Sequence, residues 1–396
     1  MRVAVVAEFY PRDEDPVLGV WAHRQAVAAR DAGASVRVFV LHRVVPAEAE
    51  LRSGAALRSL RAKLQQPRHA ELDGIAIEYV RFASPPRGMS YGTWGAWAAL
   101  PLRRALRGQA FDLVHAHNAV PAGDATMKAA GQRPGAAGAA PRAASPHAGG
   151  AETTPRSDVA PPLVVSVHGG DVFFTVKRWP VPVRQVFGAA RLVLANSSGV
   201  ADLSRDAGAR DVRVVRLGTD VPPEIVRGDG RTLVTVGHLV ARKRHDEVIR
   251  ALPEGTRYEI VGDGPERPRL ERLAAETGKA VVFHGQLPHD EAMRIARRCD
   301  VFAMPSTDEA FGVAYIEAMA GGLPAIGRRG EPGPEEIASL GGGMLLTDEH
   351  DLHATIDRAL AWREGLGTEA RETVQRHFTW EQTGRATVAA YEEALR

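Results

Sequence analysis

Short apolar runs bounded by turn residues alternate with longer amphipathic stretches along most of this chain. In the first half the runs are Val3–Ala7, Val36–Val40, Ile75–Val80, Leu113–His117, Leu163–Val167, Leu192–Ala195 and Val212–Arg216. In the second half they are Leu233–Val236, Tyr258–Val261, Val281–Phe283, Val301–Met304, Ala325–Gly327 and Met344–Leu346. Their brevity and β-branched content read as buried strands, and stretches such as Trp21–Ala32, Ala122–Ala130, Thr368–Phe378 and Trp380–Leu395 read as helices. Strand and helix in alternation predict an α/β fold with parallel sheets. At 396 residues the chain is long for one core, so two doubly wound, Rossmann-like domains are expected. In such sheets ligands bind in the crevice outside the carboxyl ends of the strands.

The pattern breaks in two places. Prolines interrupt it at Thr219-Asp-Val-Pro-Pro-Glu224, which places a first domain at 1–222, a second at 223–378 and a last helical segment at 379–396. From 131 to 162 the chain is Ala, Gly, Pro and Ser with almost no large apolar residue. Such a segment cannot bury enough surface to offset its ordering entropy, so it reads as a disordered surface insert.

Composition adds limits. Hydrophobic residues at 44% and charged residues at 25% are those of a soluble globular protein. Cys299 stands alone, which excludes an internal disulfide and fits a reducing compartment, with packing as its expected role. No apolar run approaches the ~20 residues of a membrane span, and Met1–Ala7 reads as a first strand rather than a leader. A cytoplasmic protein, or one at the inner face of a membrane, is expected. The net charge of +2 hides an asymmetry: residues 1–222 carry 28 Lys and Arg against 19 Asp and Glu, and the remainder 22 against 29. The basic first half, including the run Arg52–Arg68, fits either an anionic partner such as a membrane surface or plain solubility in an Arg-rich composition. Nothing resembles a nucleic-acid reading helix, so nucleic acid is not expected as a partner.

The stretch Ser306 to Pro324 carries the most chemistry. After the run ending at Met304 a loop leads into a short helix from about Gly312, closed by Gly321 and Gly322. The helix start brings the N–H groups of Phe311, Gly312 and Val313 to one place, a ready anion site. Glu309 lies before the helix and Glu317 about one and a half turns inside it, roughly 7 Å along the axis. Two carboxylates flanking a phosphate-sized hole suit a phosphate with hydroxylated rings on both sides, the shape of a nucleotide sugar. A strand-loop-helix with ordinary surface glutamates fits this stretch equally well.

The setting E-A-F-G-x4-E-A-M-A-x-G-x-P, with Glu309 and Glu317 as its two acids, resembles the donor-site motif of family 4 (GT4) glycosyltransferases. The resemblance implies a GT-B fold, with the two domains facing across the crevice and the last helix crossing back to the first. It covers nearly the whole chain except the insert. Val236-Gly-His-Leu-Val-Ala-Arg-Lys-Arg resembles the family's G-R-L-x-x-x-K-G, with Lys243 in place of its lysine. His238 stands where the family has arginine, a residue permanently charged as histidine is not; Arg242 or Arg244 could compensate, or His238 could donate one hydrogen bond. By the resemblance the backbone near Gly285–Leu287 receives the base edge, Glu317 the ribose and Glu309 the sugar hydroxyls, while Gly19 lies against the diphosphate and sugar. His168, in His168-Gly-Gly-Asp171, contacts the transferred sugar. His23, His117 and Asp171 are acceptor-side candidates, and Asp171 could instead orient His168.

The resemblance implies a retaining transferase that moves a hexose-type sugar from a UDP- or GDP-sugar to an unknown acceptor hydroxyl. The acceptor could be a sugar, a lipid-linked molecule or another small molecule. No cofactor is implied, and no metal. The triplet Asp13-Glu-Asp15 lies among prolines rather than after a buried strand and reads as solvated. No clear general base is present. Two alternatives remain: a nucleotide-sugar 2-epimerase of similar fold, and a non-catalytic nucleotide-sugar binder in which His238 marks decay.

Overall fold

The structure is a computed structural model describing residues 1–12, 15, 17–132 and 160–396. Most of the insert read from 131 to 162, and Asp13 and Glu14 of the acidic triplet, lie outside the described residues. The chain forms two compact units. One comprises Met1–Ala195, Ala201–Val215 and Gly384–Arg396, the other Asn196–Val200 and Arg216–Thr383.

The first unit holds β1 (Arg2–Ala7), β2 (Ser35–Arg43), β3 (His69–Leu72), β4 (Ile75–Phe82), β5 (Leu113–His117), β6 (Leu163–Val167), β7 (Leu192–Ala195) and β8 (Val212–Val214). They form one sheet in the order β3-β4-β2-β1-β5-β6-β7-β8. All pairings are parallel except β3 with β4. The hairpin at β3 departs from the all-parallel expectation. His69-Ala-Glu-Leu72 has no apolar run to announce it, because as an antiparallel edge strand it keeps its side chains mostly exposed. The centre of the sheet is closed to solvent: β1 from Val3 onward, β5 and β6 are buried at every position. Tyr391, in the helix Trp380–Leu395, packs into the same core as Val3, Val5 and Leu113.

The second unit holds β9 (Thr232–Val236), β10 (Arg257–Val261), β11 (Ala280–Gly285), β12 (Val301–Ala303), β13 (Ala325–Arg328) and β14 (Met344–Thr347). Their order is β11-β10-β9-β12-β13-β14, and every pairing is parallel. Its core gathers Leu233, Ile249, Tyr258, Ile260, Val301 and Ile356, all fully buried.

Both sheets reverse their winding at one place, between β1 and β5 in the first and between β9 and β12 in the second. At such a switch point the loops leaving adjacent strands turn to opposite sides and open a gap at the carboxyl edge. The loops that follow β1, β5, β9 and β12 are therefore where chemistry is sought, and they carry Gly19, Asn118, Lys243 and Glu309.

Candidate functional site

In the second unit two loops meet at the switch point. The loop after β9 makes a turn at Ala241–Lys243 and enters the helix His245–Ala251. The loop after β12 runs to Gly312, the residue before the helix Val313–Ala320. The Thr307 N–H donates to the Arg242 carbonyl at 2.8 Å and ties the two together. Across this tie the Lys243 ammonium donates to Glu309 Oε2 at 2.6 Å, and the Arg242 guanidinium lies 3.6 Å from the same oxygen. Ser306 donates its hydroxyl to Glu309 Oε2 at 2.9 Å.

Glu309 is also fixed through its backbone. Its N–H donates to Glu331 Oε2 at 2.8 Å, and its carbonyl accepts from Gly333 N–H at 2.9 Å. Burial opposes the charged form of Glu309, but Lys243, Arg242 and Ser306 outweigh it and hold the carboxyl below the usual range. The resemblance gives the sugar hydroxyls to Glu309; the structure pairs that carboxylate directly with Lys243. Ser306 lies within the motif without a role there, since a contact across a turn leaves no periodic signal.

Gly312 sits at φ +79°, and a Cβ there would lie 2.4 Å from the ring of Tyr315. The loop thus requires glycine twice over, for its left-handed backbone and for its space. Among the described residues the N–H groups of Phe311, Gly312 and Val313 have no hydrogen-bond partner within the protein. Phe311 itself is a core side chain, edge-on to Phe378 at 5.7 Å, so only its backbone can take part in a site. Glu317 is half-buried, with its carboxylate 3.6 Å from His289 Nε2. His238 is exposed at the end of β9. Its loop is held by the Leu239 N–H donating to Asp263 O and the Glu266 N–H donating to Leu239 O. The Gly285 carbonyl accepts from Gly262 N–H at 2.8 Å, where the end of β11 bends into the loop after β10. Gln286, exposed, and Leu287, half-buried, are the accessible members of that stretch.

In the first unit the polar groups are stacked beneath the surface. His115 and His117 alternate along β5, with ring centroids 4.5 Å apart. His115 pairs with Tyr391 at 2.7 Å and with Ser166 at 2.8 Å. His117 Nδ1 meets His168 Nε2 at 3.3 Å with the rings parallel, and the Trp21 ring lies tilted to His168, centroids 5.7 Å apart. His117 Nε2 is buried without a partner among the described residues. A bare acceptor is a cheaper defect than an orphaned N–H, which favours His117 donating through Nδ1 and His168 carrying its proton on Nδ1. Burial lowers all three pKa values, to about 3 for His115, about 4 for His168 and well below the ordinary value for His117, so the column is neutral near pH 7.

Two acceptor-side expectations, His117 and His23, are corrected here, and Asp171 contacts the turn that carries His168. His117 is 1% exposed and acts beneath His168 rather than on a ligand. Asp171, also 1% exposed, accepts from the N–H groups of His168 (3.0 Å) and Ala119 (2.9 Å) and from the Asn118 side chain (2.9 Å). It braces the turn that presents His168, and burial pushes its pKa up to about 6 against those hydrogen bonds. His23 faces inward: Tyr10 OH meets its Nδ1 at 2.7 Å and Asp73 its Nε2 at 2.8 Å. The helix Val20–Asp31 places its third and fourth positions, Ala22 and His23, against the core.

Gly19, at φ +67°, precedes that helix, and a Cβ there would fall 2.2 Å from the Phe9 carbonyl. Glu8, at the end of β1, was not singled out from sequence. It accepts from Tyr91 OH at 2.6 Å, with Arg87 4.0 Å away, and burial raises its pKa. Cys299 is buried, its thiol pushed up to about 12 by burial, which removes it as a nucleophile. Among the described residues no three His, Cys, Asp or Glu side chains are grouped to hold a metal, and no helix is long and apolar enough to cross a membrane.

Comparison with known proteins now identifies the frame. Residues 18–221 match the family described as Glycosyltransferase Family 4, and residues 220–373 match glycosyl transferases group 1. A GDP-mannose-dependent alpha-(1-6)-phosphatidylinositol monomannoside mannosyltransferase of Mycolicibacterium smegmatis is 33% identical over 181 residues, 40% of this chain and 46% of the relative. The match thus spans about half the length of that relative. A D-inositol 3-phosphate glycosyltransferase of Stackebrandtia nassauensis is 26% identical over 84% of this chain and 80% of its own. Among solved structures, sucrose-phosphate synthase of Thermosynechococcus elongatus superposes with a TM-score of 0.73 at 19% identity, covering 99% of this chain and 98% of its own. Anabaena HepE in complex with UDP-glucose gives 0.66 at 18%, with 99% of both chains covered. These last two speak for the fold. The chain therefore belongs to glycosyltransferase family 4 and has the GT-B fold.

Proposed function

We propose that the second unit binds a nucleoside diphosphate sugar and that the hexose passes to an acceptor hydroxyl received by the first unit, with retention of configuration and without a metal. The observation that carries this reading is the pairing of Lys243 with Glu309, at 2.6 Å, beside the open N–H groups of the Gly312 turn. As the bond from sugar C1 to diphosphate breaks, negative charge collects on the phosphate. Lys243, Arg242 and the helix start are placed to stabilise it. Positive charge grows on the sugar ring, and the Glu309 carboxylate is the group assigned to stabilise it. In retention the new C1–O bond forms on the face the diphosphate leaves, and the acceptor proton passes to the departing phosphate oxygen. This route needs no separate base.

Relatives differ in donor. The mycobacterial relative is named for GDP-mannose, and HepE was solved with UDP-glucose. The deciding test is thermal stabilisation by UDP, GDP and their sugars, with magnesium and with chelator. At a hundred times the dissociation constant a ligand adds ~2.7 kcal/mol. Stabilisation by one diphosphate, equal with and without magnesium and lost in Glu317→Ala, is expected. No shift with any nucleotide would refute the reading, and a shift only with magnesium would refute its metal-free part.

A further inference from the structure

At the carboxyl ends of β1 and β2, wholly within the first unit, lies a cavity of about 320 Å³. Its walls are Phe9, Leu18, Leu41 and Trp94. Four cationic side chains line it, Arg12, Arg43, Lys63 and Arg87, against two carboxylates, Glu8 and Glu48. The carboxylates are already engaged. Glu8 holds Tyr91 at 2.6 Å and lies 4.0 Å from Arg87, and Glu48 pairs with Arg52 at 2.5 Å.

The cations are matched less well. The Arg43 guanidinium donates to the neutral oxygens of Ser84, Val45 and Pro46 and has no ion-pair partner among the described residues. It also stacks over Trp94 at 5.0 Å. Lys63 donates one bond to the Val45 carbonyl at 3.1 Å and reaches Glu50 only at 3.8 Å, leaving donors of its ammonium unused. The Arg12 Nε is buried without a partner among the described residues. Like charges gathered around an apolar-walled space repel one another, and an anion placed between them relieves that repulsion. Consistent with this, burial lowers the Lys63 pKa, Glu50 partly offsets it, and the Arg43 and Arg12 charges lower it further.

We propose that this cavity binds a phosphate ester carried by the acceptor, an inference that rests on the reading of the first unit as acceptor-binding. Guanidinium forks and an ammonium suit phosphate oxygens, and the apolar walls exclude the water that would otherwise weaken the contact. The ester can belong to a free sugar or polyol phosphate or to a lipid headgroup, and the two sources share the site.

The test uses the full chain. Calorimetric titration compares glycerol 3-phosphate with glycerol. Co-sedimentation compares phosphatidylcholine vesicles containing phosphatidylinositol with pure phosphatidylcholine. The ester should bind at least tenfold more tightly than its alcohol. Lys63→Gln should remove about tenfold of that affinity, and Lys63→Arg should keep it. Lys63-dependent binding of the free ester would identify a soluble source, and of the vesicles alone a lipid source; either supports the site. Equal binding of glycerol and its phosphate together with Lys63-independent vesicle binding overturns it. Nucleoside diphosphate binding is measured in the same samples. If it persists while the ester fails, the cavity inference falls alone. If it is absent from wild type while the ester binds, the donor reading falls and the anion site stands.

Discussion

In the second unit the Glu309 carboxylate meets Lys243 at 2.6 Å and Arg242 at 3.6 Å, an ion cluster with its charges in view of one another. In the first unit the groups at the ends of β5 and β6 are three histidines and an aspartate held by neutral partners, with burial pushing each toward its uncharged form. One cluster is built around compensated charge and so can answer charge that develops on a ligand. The other is built around hydrogen-bond direction, and suits a neutral hydroxyl whose position matters more than its charge. The difference follows from local sequence. The loop after β9 carries Arg242-Lys-Arg244 at a helix start, whereas β5 puts His115 and His117 inside a sheet where an ionised group would be costly.

The contrast predicts unequal costs. Lys243→Met should lower kcat/KM by about 10²–10³-fold, the usual loss when one preorganised charge donor is removed. His168→Gln, which keeps a polar group but not the ring, should cost about tenfold, one hydrogen bond's worth. Steady-state kinetics on variants with unchanged circular dichroism would decide. A smaller loss for Lys243→Met than for His168→Gln would reverse the division of labour argued here.

Both units should share one sensitivity, because each site loop is closed by a glycine. Gly19→Ala and Gly312→Ala combine a positive φ with a Cβ 2.2 Å from a carbonyl or 2.4 Å from a ring. Each should cost roughly 2–4 kcal/mol. Urea unfolding measures it, and a cost under 0.5 kcal/mol at either position would show that its loop can re-form without glycine.

Much of this was legible from sequence. The buried strands announce themselves because parallel sheets bury both faces, and each expected run lies within or beside an observed strand. The run from Ser306 to Pro324 is contiguous, so Glu309, Gly312 and Glu317 could be named as candidates, and Lys243 from the separate run after β9. What escaped was phase and contact. His23 lies on a helix whose apolar periodicity is weak, and its inward side is set by Tyr10 and Asp73, residues far apart in the chain. Glu8 looked like the polar end of a strand, and only Tyr91 and Arg87, brought up by tertiary folding, make it part of a cavity. The hairpin at β3 carries no apolar alternation. Chemistry carried by a local run is readable; chemistry assembled across the sheet is not.

Acidification should strike the first unit's column. His115 and His168 have folded pKa values of about 3 and about 4, below the ordinary 6.5. From pH 6.5 downward the unfolded chain takes up protons that the folded chain refuses, so stability falls until the folded pKa is reached. At 1.36 kcal/mol per unit, one such histidine costs about 2 kcal/mol between pH 6.5 and 5. Asp171, raised to about 6, acts in the opposite direction, since its folded form holds a proton more tightly than the unfolded chain does. The histidines outnumber it, and the net change is destabilising. In urea unfolding at pH 7 and pH 5, His115→Gln should shrink the difference between the two pH values by about 2 kcal/mol. An unchanged difference would mean that His115 takes up its proton in the folded chain without penalty.

The smallest expected effect tests the donor side where this chain departs from its family. His238 is exposed at the end of β9, on a loop whose backbone is pinned by Asp263 and Glu266. Replacing it with arginine adds a permanent charge to a loop already carrying Arg242 and Lys243, without disturbing a buried contact. An exposed ionic contact is worth roughly 0.2–1 kcal/mol, so His238→Arg should tighten nucleoside diphosphate binding by about threefold. Because the gain is electrostatic, it should shrink as salt is raised. Titration of the nucleotide at low and high salt reads both. A weaker complex in His238→Arg would mean that the imidazole makes a specific contact the longer side chain cannot reproduce, and the departure from the family would then be an adaptation to this chain's own donor.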